Sequence, residues 1–267
     1  MQTTSTAPRL SLPSAVGFAE TTPYWVLRLG AALCFIGHGA FGFITKAAWL
    51  PYFGVLGIPE AWAWKLMPLI GAVDVLAGMA VLFGPTRLPL MYMAAWGLWT
   101  ALLRPLAGES VFEALERAGN YGVPLAFLLL NGMPGRWQDA FTDLPSRARE
   151  LADPAVRRVL QWTTCLLLVG HGALGALVSK PLLTSQYAVL GLPASTTEIV
   201  GWFEILLGAL IAWRPAPRLL LFIAGWKLAT ESLFLVSGAP VWEFVERAGS
   251  YAAPAALAFL LARNRRG

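Results

Sequence analysis

The chain has 267 residues, of which 57% are hydrophobic and 13% charged, with a mean hydropathy of +0.61 and a formal net charge of +5. Such a composition excludes an ordinary soluble domain and fits helices embedded in a lipid bilayer. Nucleic-acid binding is a poor account of the positive charge, because a membrane-topology signal already explains where the arginines lie.

Residues 1–23 are polar and rich in Thr, Ser and Pro, without the charged start, apolar core and cleavage site of a removable signal peptide. Stretches nearly free of charge follow at about 24–45, 63–84, 88–107 and 120–133. A spanning helix needs roughly 20 apolar residues. The fourth stretch reaches that length only if the preceding "ESVFEALERAG" continues into it as one helix. Residues 134–158 are polar, charged and Pro-bearing, and read as a linker that is partly amphipathic helix. Apolar stretches resume at about 159–179, 199–213, 219–237 and 252–262, the last again preceded by an amphipathic segment, "PVWEFVERAG". The expected fold is all-α, a polytopic membrane protein with eight transmembrane helices divided between residues 24–133 and 159–267. Arginines crowd the tail, the turns near Arg87 and Arg214, the linker and the C-terminus. The positive-inside rule then places both termini and the linker in the cytoplasm, with the bacterial inner membrane as the expected location. Trp25, Trp49, Trp62 and Trp64 read as interfacial anchors, and Cys34 and Cys165 as small apolar side chains within spans.

The chain repeats itself. "VFEALERAGNYGVP" at 111–124 returns as "VWEFVERAGSYAAP" at 241–254, and "GHGAFG" at 37–42 as "GHGALG" at 170–175. "GAVDVLAG" at 71–78 answers "GWFEILLG" at 201–208, while Trp96 and Thr100 answer Trp226 and Thr230. Four spans per copy is an even number, so the second copy enters the membrane from the same side as the first. The halves are expected to be parallel repeats about a pseudo-twofold axis along the membrane normal.

The residues able to do chemistry fall at matched points. His38 and His171, the only histidines, are each bracketed by glycines that admit another helix or a flat cofactor. One reading has each neutral imidazole hydrogen-bonded across a helix pair. The other has both rings facing the pseudo-axis, ligating one haem b iron or another metal, or contacting a quinone. Asp74 and Glu204 are equivalent intramembrane carboxylates, which must pair, protonate or line a cavity, and are assigned to proton handling. Glu113 with Arg117, and Glu243 with Arg247, are spaced to share a helix face, and Tyr121 and Tyr251 continue that face. An exposed pair of this kind contributes only ~0.3–0.5 kcal/mol. Its detailed repetition therefore points to burial between the halves or to cofactor contact. Symmetry breaks at Lys227 and Glu231, whose counterparts are Gly97 and Ala101, and at Arg104, which aligns with Phe234. Lys227 and Glu231 accordingly join the candidate reactive groups of the second half.

These residues resemble the DoxX-like superfamily of four-span membrane proteins. The resemblance rests on Arg28, the run "GHGAFGFITK" ending at Lys46, and Asp74 in "GAVDVLAG". The second copy supplies "GHGALGALVSK" ending at Lys180, and Glu204 in "GWFEILLG", but has Gln161 near the place of Arg28. The resemblance implies a membrane redox protein, acting with quinone and a redox partner protein or as part of an oligomer. The residues alone also fit a small-molecule transporter with its substrate at the repeat interface, or a non-catalytic assembly subunit.

Overall fold

The computed structural model describes residues 15–144 and 154–263, with side chains from residue 21 onward. Among the described residues the fold is all-helical. The first half runs α1 (Ala15–Phe43), a 3-10 turn (Ala47–Trp49), α2 (Leu50–Val55), α3 (Glu60–Phe83), α4 (Arg87–Leu106), α5 (Val111–Glu116) and α6 (Ala118–Leu130). The second runs α7 (Pro154–Ala176), α8 (Pro181–Val189), α9 (Ser195–Trp213), α10 (Pro217–Val236), α11 (Val241–Glu246) and α12 (Ala248–Arg263). Left-handed backbone recurs at paired turns, Thr45 with Ser179, Gly57 with Gly191 and Gly108 with Gly238.

Among the described residues five helices are long and apolar enough to cross a membrane: α1 over Thr21–Phe43, α3, α7, α9 and α10. α4 has a comparable length but carries Arg87 and Arg104 near its ends. α6 and α12 hold only 13 and 16 residues. Each is preceded by a short helix and a one-residue break, at Arg117 (φ −85, ψ 13) and Arg247 (φ −89, ψ 11). The expected single fourth helix is thus two pieces. The break falls at the arginine, whose guanidinium folds back onto the carbonyl and carboxylate of the glutamate one turn earlier. Pro124 and Pro254 lie inside the later pieces, away from the break. Two other boundaries also moved: α1 begins at Ala15, inside the expected tail, and α7 at Pro154, inside the expected linker. The remainder of that linker is a short 3-10 turn, Trp137–Phe141, together with residues outside those described.

The halves interlock. α1 packs on α3 of its own half but also on α11 and α12, and α7 packs on α9 but also on α5 and α6. α6 and α12 meet at Gly119 and Gly249, where either glycine's missing side chain is replaced by the other's backbone. One apolar core runs through both halves, from Leu27 and Phe127 to Leu168 and Ile211. Arg28 donates to the carbonyls of Val81 and Leu82 at the end of α3 (3.0 and 2.8 Å), and Gln161 to those of Ile211 and Ala212 at the end of α9 (2.9 and 3.1 Å). The mismatched pair therefore does one job, satisfying helix-end carbonyls that otherwise have no partner in an apolar medium.

Candidate functional site

Each histidine is held by the acid of its own half. His38 Nδ1 lies 2.7 Å from Asp74 Oδ2, and His171 Nδ1 is bonded to Glu204 Oε2. Both carboxyls are completely buried. The helices bearing the histidines, α1 and α7, pack against α6 and α12 rather than against one another. Joint ligation of one iron or metal by His38 and His171 is therefore corrected to two separate sites. Ligation by both rings would require each to reach a common centre at about 2 Å, whereas each ring is bonded to the acid of its own half and α1 and α7 share only α6 and α12 as neighbours. Among the described residues no group of three or more His, Cys, Asp and Glu stands close enough together to hold a metal ion. The glycines beside the histidines serve helix contact. A side chain at Gly37 would collide with the backbone of Glu246, and one at Gly170 with that of Glu116.

The remaining oxygen of each acid is satisfied differently. Tyr92 donates its hydroxyl to Asp74 Oδ1 at 2.7 Å. In the second half the residue in register is Phe222, and the indole of Trp226 donates to Glu204 Oε1 at 2.9 Å. Asp74 thus accepts from a phenol at one oxygen and meets the His38 ring nitrogen at the other.

From here the halves diverge. In the first, a cavity of about 210 Å³ is lined by His38, Trp49, Trp96, Thr100, Arg104 and Arg117, with apolar walls from α2 and α3 and with Glu246 contributed by the second half. His38 stacks on Trp49, ring centres 4.6 Å apart. Trp49 is 8% exposed, so it belongs to the site and is not the interfacial anchor expected. Near the rim Arg104 pairs with Glu109 at 3.0 Å and lies over the Tyr52 ring, whose hydroxyl donates to Glu109. Burial pushes the Tyr52 phenol up from its ordinary range, with the Arg104 charge pulling the other way.

In the second half the same interval is bridged by charge. Lys227 Nζ lies 3.5 Å from Glu204 Oε1 and 2.9 Å from Glu231 Oε1, and Glu231 Oε2 lies 3.1 Å from Arg247 Nε. Phe234, where the first half has Arg104, receives the Arg247 guanidinium over its ring at 4.0 Å. A continuous ionic line therefore runs from His171 through Glu204, Lys227 and Glu231 to Arg247, where the first half has open space between His38 and Arg117. The exposures agree: the His38 side chain keeps 19% of its surface and that of His171 only 7%.

The glutamates of the repeated segment are committed to ion pairs. Glu113 binds Arg117 (2.9 Å) and Lys180 (2.6 Å), and Glu243 binds Arg247 (2.7 Å) and Lys46 (2.6 Å). Both lysine pairs join one half to the other. Their partners were not foreseen, although each lysine ends the GHGA run at a matched position. Tyr121 packs against the core and Tyr251 stacks on Phe244; neither lines the cavity, which removes both from the expected cofactor contacts. Among the residues given weight in the sequence, His38 and Arg117 reach the cavity, Asp74 holds His38 from behind, and Glu204, Lys227, Glu231 and Arg247 form the ionic line. Tyr92, Tyr52 and Glu246 are additions from the structure.

An engineered cavity of about 150 Å³ holds benzene. On that scale the first-half cavity takes one substituted six-membered ring, and a haem macrocycle does not fit. No protein-family model matches the chain, nor does any curated protein or any solved structure.

Proposed function

We propose that this is an integral membrane protein of DoxX-like type, eight spans as two parallel repeats, which binds the ring of a quinone in its first half and takes part in membrane redox chemistry. The fourth span of each repeat is the broken pair α5–α6 or α11–α12, and both termini and the linker face the cytoplasm of a bacterial inner membrane. The observation that carries the reading is the ring-sized cavity with His38 at its polar end. Trp99 and Leu56, which also line it, are 37% and 50% exposed. In a bilayer such residues face acyl chains, so the cavity opens toward the phase in which quinones dissolve.

A quinone, when bound, supplies the electron chemistry. The chain's own residues handle position and protons. Asp74 and Tyr92 fix the His38 ring, leaving its Nε2 to accept or return a proton at a ligand oxygen. Trp49 and Trp96 supply flat apolar surface, and Arg104 and Arg117 place positive charge where negative charge develops on a reduced ring.

Organic extraction of protein purified from native membranes tests this directly. We expect a quinone in near-stoichiometric amount from the native chain and its loss from His38→Ala. Equal amounts from both, at the level carried by bulk lipid, would overturn the reading. Reporter fusions at the two termini and in the linker should all report cytoplasm.

A further inference from the structure

The two halves differ at one buried donor. Trp226 stacks on Phe222 (6.4 Å between ring centres, 25° between planes) and gives its indole N–H to Glu204. Trp96, its counterpart, stands on Tyr92 in nearly the same way (6.1 Å, 13°), yet its buried Nε1 has no hydrogen-bond partner among the described residues. The cause is legible in two substitutions. Asp74 is one methylene shorter than Glu204, and the oxygen that Trp226 uses in the second half is taken in the first by the Tyr92 hydroxyl. An unpartnered N–H in an apolar interior costs about 1–3 kcal/mol, which is a reason for it to be used. Trp96 lines the same cavity as His38.

From this geometry we infer that the Trp96 N–H is the donor that recognises a carbonyl oxygen of the ring bound in the first-half cavity. Trp96 is then a specificity residue, and the ligand class narrows to planar single rings carrying an acceptor oxygen at the edge nearest Asp74 and His38. The second half has no such requirement, because its donor is already spent on Glu204. This assignment rests on the proposed quinone site but adds a claim that can fail alone.

Two probes of one shape separate the cases: duroquinone, and durene, which has the same ring and four methyls without the oxygens. Binding of each probe is read by equilibrium dialysis of the full chain in nanodiscs against protein-free nanodiscs. The native chain should favour duroquinone. Trp96→Phe should weaken duroquinone roughly five- to tenfold more than it weakens durene, because both probes lose flat surface but only duroquinone loses a hydrogen bond. Asp74→Glu, which lengthens the acid to the reach of Glu204 and lets it capture the Trp96 N–H, should weaken duroquinone in the same sense. Native-like duroquinone affinity in Trp96→Phe, or an equal loss for both probes, would remove the assignment and leave the quinone site standing. A native chain that binds neither probe would remove both.

Discussion

The first half keeps an aromatic-lined cavity between His38 and Arg117, whereas the second fills the equivalent interval with Lys227 and Glu231. The skeleton beneath is shared: a histidine on an acid, an arginine break before the last helix, and a lysine reaching across to the other half. What changed is side-chain length at a few positions. Lys227 and Glu231 stand where the first half has Gly97, which packs on the Asn120 backbone, and Ala101, and Asp74 stops short where Glu204 reaches an indole. A duplicated site can thus retain its frame while one copy keeps an open cavity and the other is bridged by ion pairs.

The bridged copy should be the more fragile of the two. Lys227 and Glu231 are 1% and 2% exposed, and removing one partner of a buried pair typically costs about 3–5 kcal/mol. Glu231→Ala is therefore expected to lower thermal stability in detergent strongly, while His38→Ala in the open half lowers it far less. Equal losses would erase the distinction. Removing both partners sharpens it further. Lys227→Gly with Glu231→Ala leaves neither charge orphaned, so the double variant should be more stable than Glu231→Ala alone. Any space it opens should take durene in preference to duroquinone, because the Trp226 N–H stays bonded to Glu204. In the middle of the range, Tyr92→Phe removes one of the two bonds to Asp74 and should cost about 0.5–1.5 kcal/mol, with weaker ligand binding because His38 is less well fixed. The smallest effects belong to the features the halves share. Lys46→Ala and Lys180→Ala each break a partly exposed cross-half pair, with the lysine side chains 27% and 21% exposed. Each should cost no more than about 1 kcal/mol, and the two should match.

Much of this was legible in the chain itself. The duplication, the apolar stretches and the matched positions of His38, His171, Asp74 and Glu204 are all visible without coordinates, because the same short motifs recur in the same order in both halves. The asymmetry at Lys227 and Glu231 is visible too. Register across helices was not. Whether His38 meets His171 or Asp74 depends on how α1 rotates and on which helix it packs against, and no spacing within α1 states that. The cross-half lysine pairs and the break at Arg117 stayed hidden for the same reason: "ERAG" looks like continuous helix, and nothing in the spacing brings Lys180 to Glu113. Trp49 was misassigned because a tryptophan near a membrane surface is usually an anchor, and only its stack on His38 reveals its place.

The central claim is that one half binds and the other does not. Titrating the native chain in nanodiscs with duroquinone, alongside His38→Ala and His171→Ala, tests it most directly. The account predicts one site per native chain, no site in His38→Ala, and one site of near-native affinity in any folded His171→Ala. Two sites in the native chain, or equal loss of binding in the two folded variants, would contradict it.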